Sequence, residues 1–382
     1  KYFMSKIYFD NAATTPISND VVDIMTQVMK NNFGNPSSTH SFGRESRAII
    51  ELTRKNISDE LNVKPSEIIF TSGGTESNNM IIKGAVETHK IERIITTKIE
   101  HKAVLETVES CKIKYDVELI YLTVDNKGLP SLVEFEKILE SSNKKTLVSL
   151  MHINNEIGSM IDLSKFGDLC KKYNSLFHSD TVQTIGHYNL DLSKLNIDFL
   201  TCSAHKFHGP KGIGFAFLRN NSKLNSFIEG GNQERGMRGG TESIHNIAGL
   251  NLAFTNAYKN LEKESKKIKS LKKYFINKLS ENFDFKINGC KDQSSYTILN
   301  ILFPINISKK PILNFKLDLQ GIACSGGSAC QSGSDKPSHV LSEVLEPDLM
   351  KNISLRFSFS KLNSSDEVDK VVDFFKKFIN EN

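Results

Sequence analysis

Short apolar runs alternate with helical stretches over the first two-thirds of the chain. The runs at 67–71, 93–97, 118–122, 146–151, 175–179 and 199–202 read as buried strands. Between them, 76–89, 101–111, 130–141 and 163–173 repeat apolar positions every three to four residues, the spacing of amphipathic helices. Ahead of this set, 6–10 predicts a short strand. Ser18 is positioned to cap a helix running to about Lys30, turn residues fill 31–38, and a second helix is expected over about 43–61. This order predicts an α/β fold: a mostly parallel sheet with helices on both faces. In such sheets ligands gather outside the carboxyl ends of the strands.

After Asn246 the pattern changes. A long helical stretch rich in Lys, Glu and Leu covers 247–282, strands return around 295–303 and 353–359, and an amphipathic helix is expected over 365–380. The shift predicts two domains. A large one would span 15–250. A smaller α+β one would be built from 1–14 and 251–382 and carry a polar loop at about 321–336.

Composition narrows the function. Of 382 residues, 49 Lys and Arg against 44 Asp and Glu leave a net charge of +5, thin for so large a surface. The lysines scatter over helical stretches as solvated faces rather than forming the basic stripe that nucleic-acid binding requires. No apolar run approaches the roughly 18 residues of a membrane span. The six cysteines include no C-x-x-C pair and no zinc-finger spacing, so no metal site is expected, and reduced thiols in a cytoplasmic compartment are. Position 1 is Lys and Met4 is a candidate start, which leaves room for a mitochondrial or other organellar address upstream.

Candidate chemistry sits where strands end. Thr71-Ser72-Gly73-Gly74-Thr75-Glu76 is strand, glycine turn and helix start, suited to a phosphate or simply to a tight capped turn. His101 opens the next helix, as a stacking ring or a plain cap. Asn154 and Asn155 close another strand, as ligand-facing amides or turn residues. Asp180 ends a buried strand with Gln183 three positions on, and a buried carboxylate needs a partner. Lys206, inside Ser203-Ala204-His205-Lys206, is either a solvated lysine or an amine that forms a Schiff base. Together, and in this order, these pieces describe a site for pyridoxal phosphate (PLP).

Several motifs carry a family resemblance over nearly the whole chain. They are Thr71 to Asn79, Glu100-His101-Lys102, Asn154-Asn155-Glu156-Ile157-Gly158, Asp180-Thr181-Val182-Gln183, Ser203 to Lys206, Gly231 to Glu242, and Gly327-Ser328-Ala329-Cys330. The chain resembles the NifS/IscS-type cysteine desulfurases, class-V aminotransferase-like enzymes of PLP fold type I. The resemblance implies that Lys206 holds PLP and moves the Cα proton. Asp180 would face the pyridine nitrogen, Gln183 the ring hydroxyl, and His101 would stack on the ring and assist proton transfer. Gly74, Thr75, Ser203 and His205 would hold the phosphate, joined across a homodimer interface by Thr241. Asn155, beside the cofactor, and Arg356 would bind the substrate carboxylate, with Asn35 bordering the pocket. Cys330, on the polar loop, would take the sulfur of L-cysteine as a persulfide, release L-alanine, and pass sulfur to an iron–sulfur scaffold or a tRNA-thiolation relay, with at most a transient iron–sulfur contact.

The resemblance leaves alternatives: a selenocysteine lyase, another class-V lyase or aminotransferase, or a non-catalytic scaffold on the same fold. Three departures stand out. Cys324 is a second thiol near Cys330, Ser360-Lys361 stands where relatives often carry Gly-Arg, and the longer tail that meets the scaffold in the IscS branch is not expected, which bears on the choice of partner.

Overall fold

The structure, a computed structural model, describes residues 6–220, 222, 224–326 and 338–380. After β1 (Ile7–Tyr8), α1 (Asn19–Asn31) and α2 (Ser41–Leu61), strands and helices alternate: β2 (Ile68–Thr71), α3 (Gly74–His89), β3 (Arg93–Thr97), α4 (Lys102–Tyr115), β4 (Glu118–Leu122), α5 (Leu132–Glu140), β5 (Thr146–Ser149), α6 (Leu163–Lys172), β6 (Leu176–Asp180), β7 (Phe199–Ser203) and β8 (Gly214–Leu218). The later part holds α7 (Ile244–Lys259), α8 (Leu261–Ser280), β9 (Lys286–Asn288), β10 (Ile298–Asn306), α9 (Lys310–Leu319), β11 (Ile322–Ala323), α10 (His339–Val344), β12 (Asn352–Ser358) and α11 (Ser365–Asn380).

Seven strands form the central sheet in the order β2-β8-β7-β6-β5-β3-β4. Strands β3 to β7 pair in parallel, whereas β8 runs antiparallel to both β2 and β7. The sequence reading assigns no strand to 214–218. Glycines punctuate the connection from β7, yet an antiparallel partner needs only such a short return. Gly214 is required there, because a Cβ would lie 2.2 Å from the Cys202 carbonyl oxygen. Apolar residues pack on both faces of the sheet: Val21, Ile50, Phe166 and Phe254 belong to one cluster, and Met80, Ile81, Val104 and Val108 to another. This two-sided burial explains why the strands read as continuous apolar runs instead of alternating.

The long stretch 247–282 is two helices rather than one. Asn260 separates α7 from α8; its backbone leaves helical geometry at φ −105°, ψ 5°, and its side chain donates back to the Asn256 carbonyl at 2.9 Å. The second sheet, ordered β12-β10-β9, is antiparallel. Phe303 stacks on Phe375 of α11 with ring centroids 4.6 Å apart, and Phe9, Phe275 and Phe357 join the same core. Each such buried ring contributes roughly 2 kcal/mol by burial alone. The chain's first strand serves this second core: β1 pairs in parallel with β11, and the bridge Asp10–Ser358 continues the contact. Residues 11–15 then run from that core to the end of β7, where the Thr15 N–H donates to the His205 carbonyl at 2.9 Å.

Candidate active site

The carboxyl ends of β2, β6 and β7 meet around the start of α3. Gly73 has φ +145°, open to glycine and strained for other residues, and no side chain caps α3. The first N–H groups of that helix therefore face outward with the positive end of its dipole. The turn lies close to its neighbours: a Cβ on Gly74 would sit 2.9 Å from Val182 Cγ2, and one on Gly73 would touch Ser203 Oγ at 3.5 Å. Gly74, Thr75 and Ser203 are thus brought together.

Asp180 is 6% exposed, and each of its oxygens accepts one hydrogen bond. Its Oδ2 accepts from Asn78 Nδ2 at 2.7 Å and its Oδ1 from the Val182 N–H at 3.0 Å. Behind it runs a chain of side chains. Thr201 Oγ1 donates to Asn78 Oδ1 at 2.7 Å, His178 Nε2 lies 3.2 Å from Thr201 Oγ1, and His178 Nδ1 lies 2.8 Å from Ser149 Oγ. Burial pushes His178 down to about 4, so this ring is neutral near neutral pH.

Lys206 Nζ donates to the carbonyls of Ala12 at 2.7 Å and Ala13 at 2.9 Å. Gln183 Nε2 reaches the same Ala12 carbonyl at 3.0 Å. His205 Nδ1 lies 3.1 Å from Thr14 Oγ1, and burial beside Lys206 and Lys211 lowers its pKa to about 4. His101 caps α4, its Nδ1 accepting the Ala103 N–H at 3.1 Å. Burial lowers the pKa of His101, Asp180 counters that, and Lys206 adds to it. With Nδ1 accepting, the ring proton belongs on Nε2, an assignment made from the bond geometry.

On the far wall, Arg356 of β12 is 1% exposed. Its Nη1 donates to the Asn155 carbonyl and its Nη2 to Asp10 Oδ1, both at 2.7 Å, while its Nε is buried with no hydrogen-bond partner among the described residues. Asn35 is exposed and its side chain accepts the Ser37 N–H at 2.9 Å; among the described residues no hydrogen bond joins it to Lys206, Asp180 or Arg356. Thr241 is also exposed. Cys330 lies outside the described residues.

The Aminotransferase class-V family pattern matches residues 7–371. Among curated proteins, "Cysteine desulfurase IscS" of Dictyoglomus turgidum is 39% identical over 98% of this chain and 94% of that protein. "Putative cysteine desulfurase IscS 1" of Bacillus subtilis is 40% identical over 96% of each. The chain belongs to the NifS/IscS-type cysteine desulfurases of the class-V aminotransferase family. Solved structures agree. A "NIFS-LIKE PROTEIN" superposes with a TM-score of 0.90 at 34% identity, covering 99% of this chain and 100% of that one. A NifS-like protein from Rickettsia africae gives 0.87 at 31% identity, over 98% and 99%.

Cysteine desulfurases of this family are PLP-dependent, and the residues here fit that cofactor. An uncapped helix N-terminus beside Gly73 and Ser203 suits a phosphate. The buried Asp180 suits a protonated ring nitrogen, and Lys206 is an amine that suits the cofactor's aldehyde. Four residues in this cradle carry no role in the sequence reading. Asn78, Thr201 and His178 brace Asp180, and Asp10 pairs with Arg356. Asn78 had a faint signal, standing four positions beyond Gly74 and so on the same helix face. The others come from strands and loops whose facing is set by tertiary packing.

A buried ion pair supports the stretch that carries Thr241. Glu234, with φ 45° and ψ 40°, meets Arg54 at 2.9 and 3.0 Å and accepts the Phe70 N–H at 2.8 Å. Burial pushes the Cys324 thiol up to about 12, so it stays protonated at neutral pH.

Proposed function

We propose that this chain converts L-cysteine to L-alanine, with Cys330 receiving the sulfur as a persulfide for delivery to a protein acceptor. The observation that carries the reading is the meeting of Lys206, Gln183 and residues 12–13 beside the Asn78–Asp180 pair. Bound PLP supplies an electron sink that labilises the substrate Cα proton. Lys206 holds the cofactor and moves that proton. Asp180, kept in place by Asn78, faces the pyridine nitrogen. Gln183 faces the ring hydroxyl, and His101 covers the ring and donates from Nε2. Gly74, Thr75, Ser203 and His205 hold the phosphate. Arg356 and Asn155 receive the substrate carboxylate, and a guanidinium suits that bidentate task; Asn35 borders the pocket. In the sulfur step the substrate Cβ–S bond breaks and an S–S bond forms to Cys330 Sγ. A proton goes to Cβ to make the methyl group, and Lys206 returns one to Cα, which completes alanine.

Thr241 reaches the phosphate of the partner subunit, so the working form is a homodimer, and its exposure in the single chain suits that role. The acceptors are an iron–sulfur scaffold or a tRNA-thiolation relay. The free thiols Cys111, Cys170, Cys202 and Cys290 suit the cytoplasm. A large domain over 15–250 would hold the cofactor, and a small domain from 1–14 and 251–382 would present Cys330.

Purified protein incubated with L-cysteine and a reductant should release alanine and sulfide in equal amounts. Cys330→Ala should abolish both while the visible absorbance of bound cofactor persists, and Lys206→Ala should lose that absorbance. Pyruvate or glutamate without sulfide would overturn the reading. A much higher turnover of selenocysteine, retained by Cys330→Ala, would favour a selenocysteine lyase.

A further inference from the structure

Residues 327–337, which include Cys330, lie outside the described residues, but the residues on either side of them are described. On the upstream side, Ser325 makes two backbone bonds with Arg356: its N–H donates at 3.1 Å and its carbonyl accepts at 2.6 Å. Arg356 in turn donates to the Asn155 carbonyl. On the downstream side, Ser338 Oγ donates to Glu156 Oε2 at 2.5 Å, and His339 Nε2 lies 2.9 Å from the Glu100 carbonyl. Glu156 follows Asn155 directly and is fully buried. The two sides are therefore tied within one residue of the same place, the Asn155–Arg356 contact.

Glu156 is held firmly itself. Asn154 Oδ1 accepts the N–H groups of Glu156 and Ile157 at 2.9 and 3.0 Å, and Asn300 Nδ2 donates to the Glu156 carbonyl at 3.0 Å. Its second carboxyl oxygen, Oε1, is buried with no hydrogen-bond partner among the described residues. A buried carboxyl with one oxygen unbonded is costly, and the mechanism above does not use it. Ser338 also caps α10, accepting the Leu341 N–H at 3.2 Å. A cap needs only the hydroxyl, and the Glu156 bond is additional to it.

We propose that Glu156 and Ser338 are positioning residues for the sulfur-transfer step, fixing the downstream root of the Cys330 stretch to the turn that carries Asn155. This rests on Cys330 being the sulfur acceptor. The role separates from general folding by choice of substrate. L-cysteine requires the Cys330 thiol. L-cysteine sulfinate does not: its C–S bond breaks with sulfur dioxide leaving and its electron pair remaining on carbon. Protonation then gives alanine, and water converts sulfur dioxide to bisulfite.

The experiment compares kcat and KM for both substrates in the PLP-loaded dimer of the wild type, Ser338→Ala, Ser338→Thr, Glu156→Gln and Cys330→Ala. Losing or weakening one buried hydrogen bond should lower kcat for L-cysteine about ten- to hundredfold in Ser338→Ala, and about tenfold in Glu156→Gln. KM and turnover of cysteine sulfinate should stay within about threefold of wild type, since neither Asn155 nor Arg356 is altered. Ser338→Thr, which keeps the hydroxyl, should restore L-cysteine turnover. A parallel fall for both substrates would reduce the pair to a structural support and overturn the proposal, as would unchanged L-cysteine turnover. Cys330→Ala guards the parent reading: if it still turns over L-cysteine, that reading fails on its own, whatever the Glu156 and Ser338 variants do.

Discussion

Asp180 shows how much one candidate site residue owes to neighbours for its placement. Its carboxylate is buried, and the proposed contact with the cofactor nitrogen needs it held in one orientation. Asn78 supplies that hold with one 2.7 Å bond, and Thr201 keeps the amide from turning round. Asn78→Ala would leave Asp180 Oδ2 without its bond, a change of about 1–3 kcal/mol. The expected result is a cofactor dissociation constant raised about tenfold or more, read by dialysis and visible absorbance. An unchanged constant would show that Asp180 orients itself. The motif around Asn78 is visible in the sequence, but its target is not, because Asn78 and Asp180 are 102 positions apart.

Among the elements, the β2–α3 turn is the one proposed to hold the cofactor phosphate. The sequence predicts strand, glycine turn and helix here, and the structure starts α3 at Gly74, two residues earlier than predicted. A run of small residues hides the true start, because it carries no apolar period. Gly73 at φ +145° is the position a side chain would strain. Gly73→Ala should cost about 1–3 kcal/mol locally and re-aim the first N–H groups of α3. Phosphate-dependent affinity should then fall at least tenfold for PLP, with little change for pyridoxal, which lacks the phosphate; equal losses for both would refute an anion site here. The split of 247–282 into α7 and α8 makes a related point. A continuous helical composition does not disclose a break at one asparagine, Asn260, whose side chain bonds the Asn256 carbonyl of the preceding turn.

Across the whole molecule, buried titratable groups set opposing pH limbs. His152, His178, His187 and His205 are each pushed down to about 4 by burial, from an ordinary 6.5. Between those values the unfolded chain binds protons that the folded chain refuses, so stability falls as pH drops from 6.5 towards 4. Glu100 behaves in the opposite sense. Burial, reinforced by Asp180, raises it from 4.5 to about 8, and its Oε2 is buried without a hydrogen-bond partner among the described residues. The folded state keeps that proton after the unfolded chain has lost it, so stability falls as pH rises from 4.5 to about 8. His101 and His208 are shifted the same way as these histidines, and Glu60 and Glu242 the same way as Glu100; with the histidines outnumbering the glutamates, thermal stability should peak near pH 6–7. Glu100→Gln should flatten the decline between pH 6.5 and 8, and urea midpoints at the two pH values would measure it. An equal decline in wild type and variant would place the alkaline limb elsewhere.

The family and the α/β alternation were legible in the sequence, and candidate residues could be named from it, because all of these rest on local facts. Hydrophobic period reports strands and helices, and short motifs keep their residue order whatever the packing. Tertiary structure decided what those residues touch. Lys206 lies on carbonyls 193 and 194 positions away, Arg356 on Asp10 at a separation of 346, and β8, where the sequence reading assigns no strand, pairs antiparallel with β2 and β7. Such contacts depend on strand order and on the N-terminal segment returning to the second core. Those are long-range choices that satisfy burial and hydrogen bonding for the whole chain at once, and no window of sequence contains them.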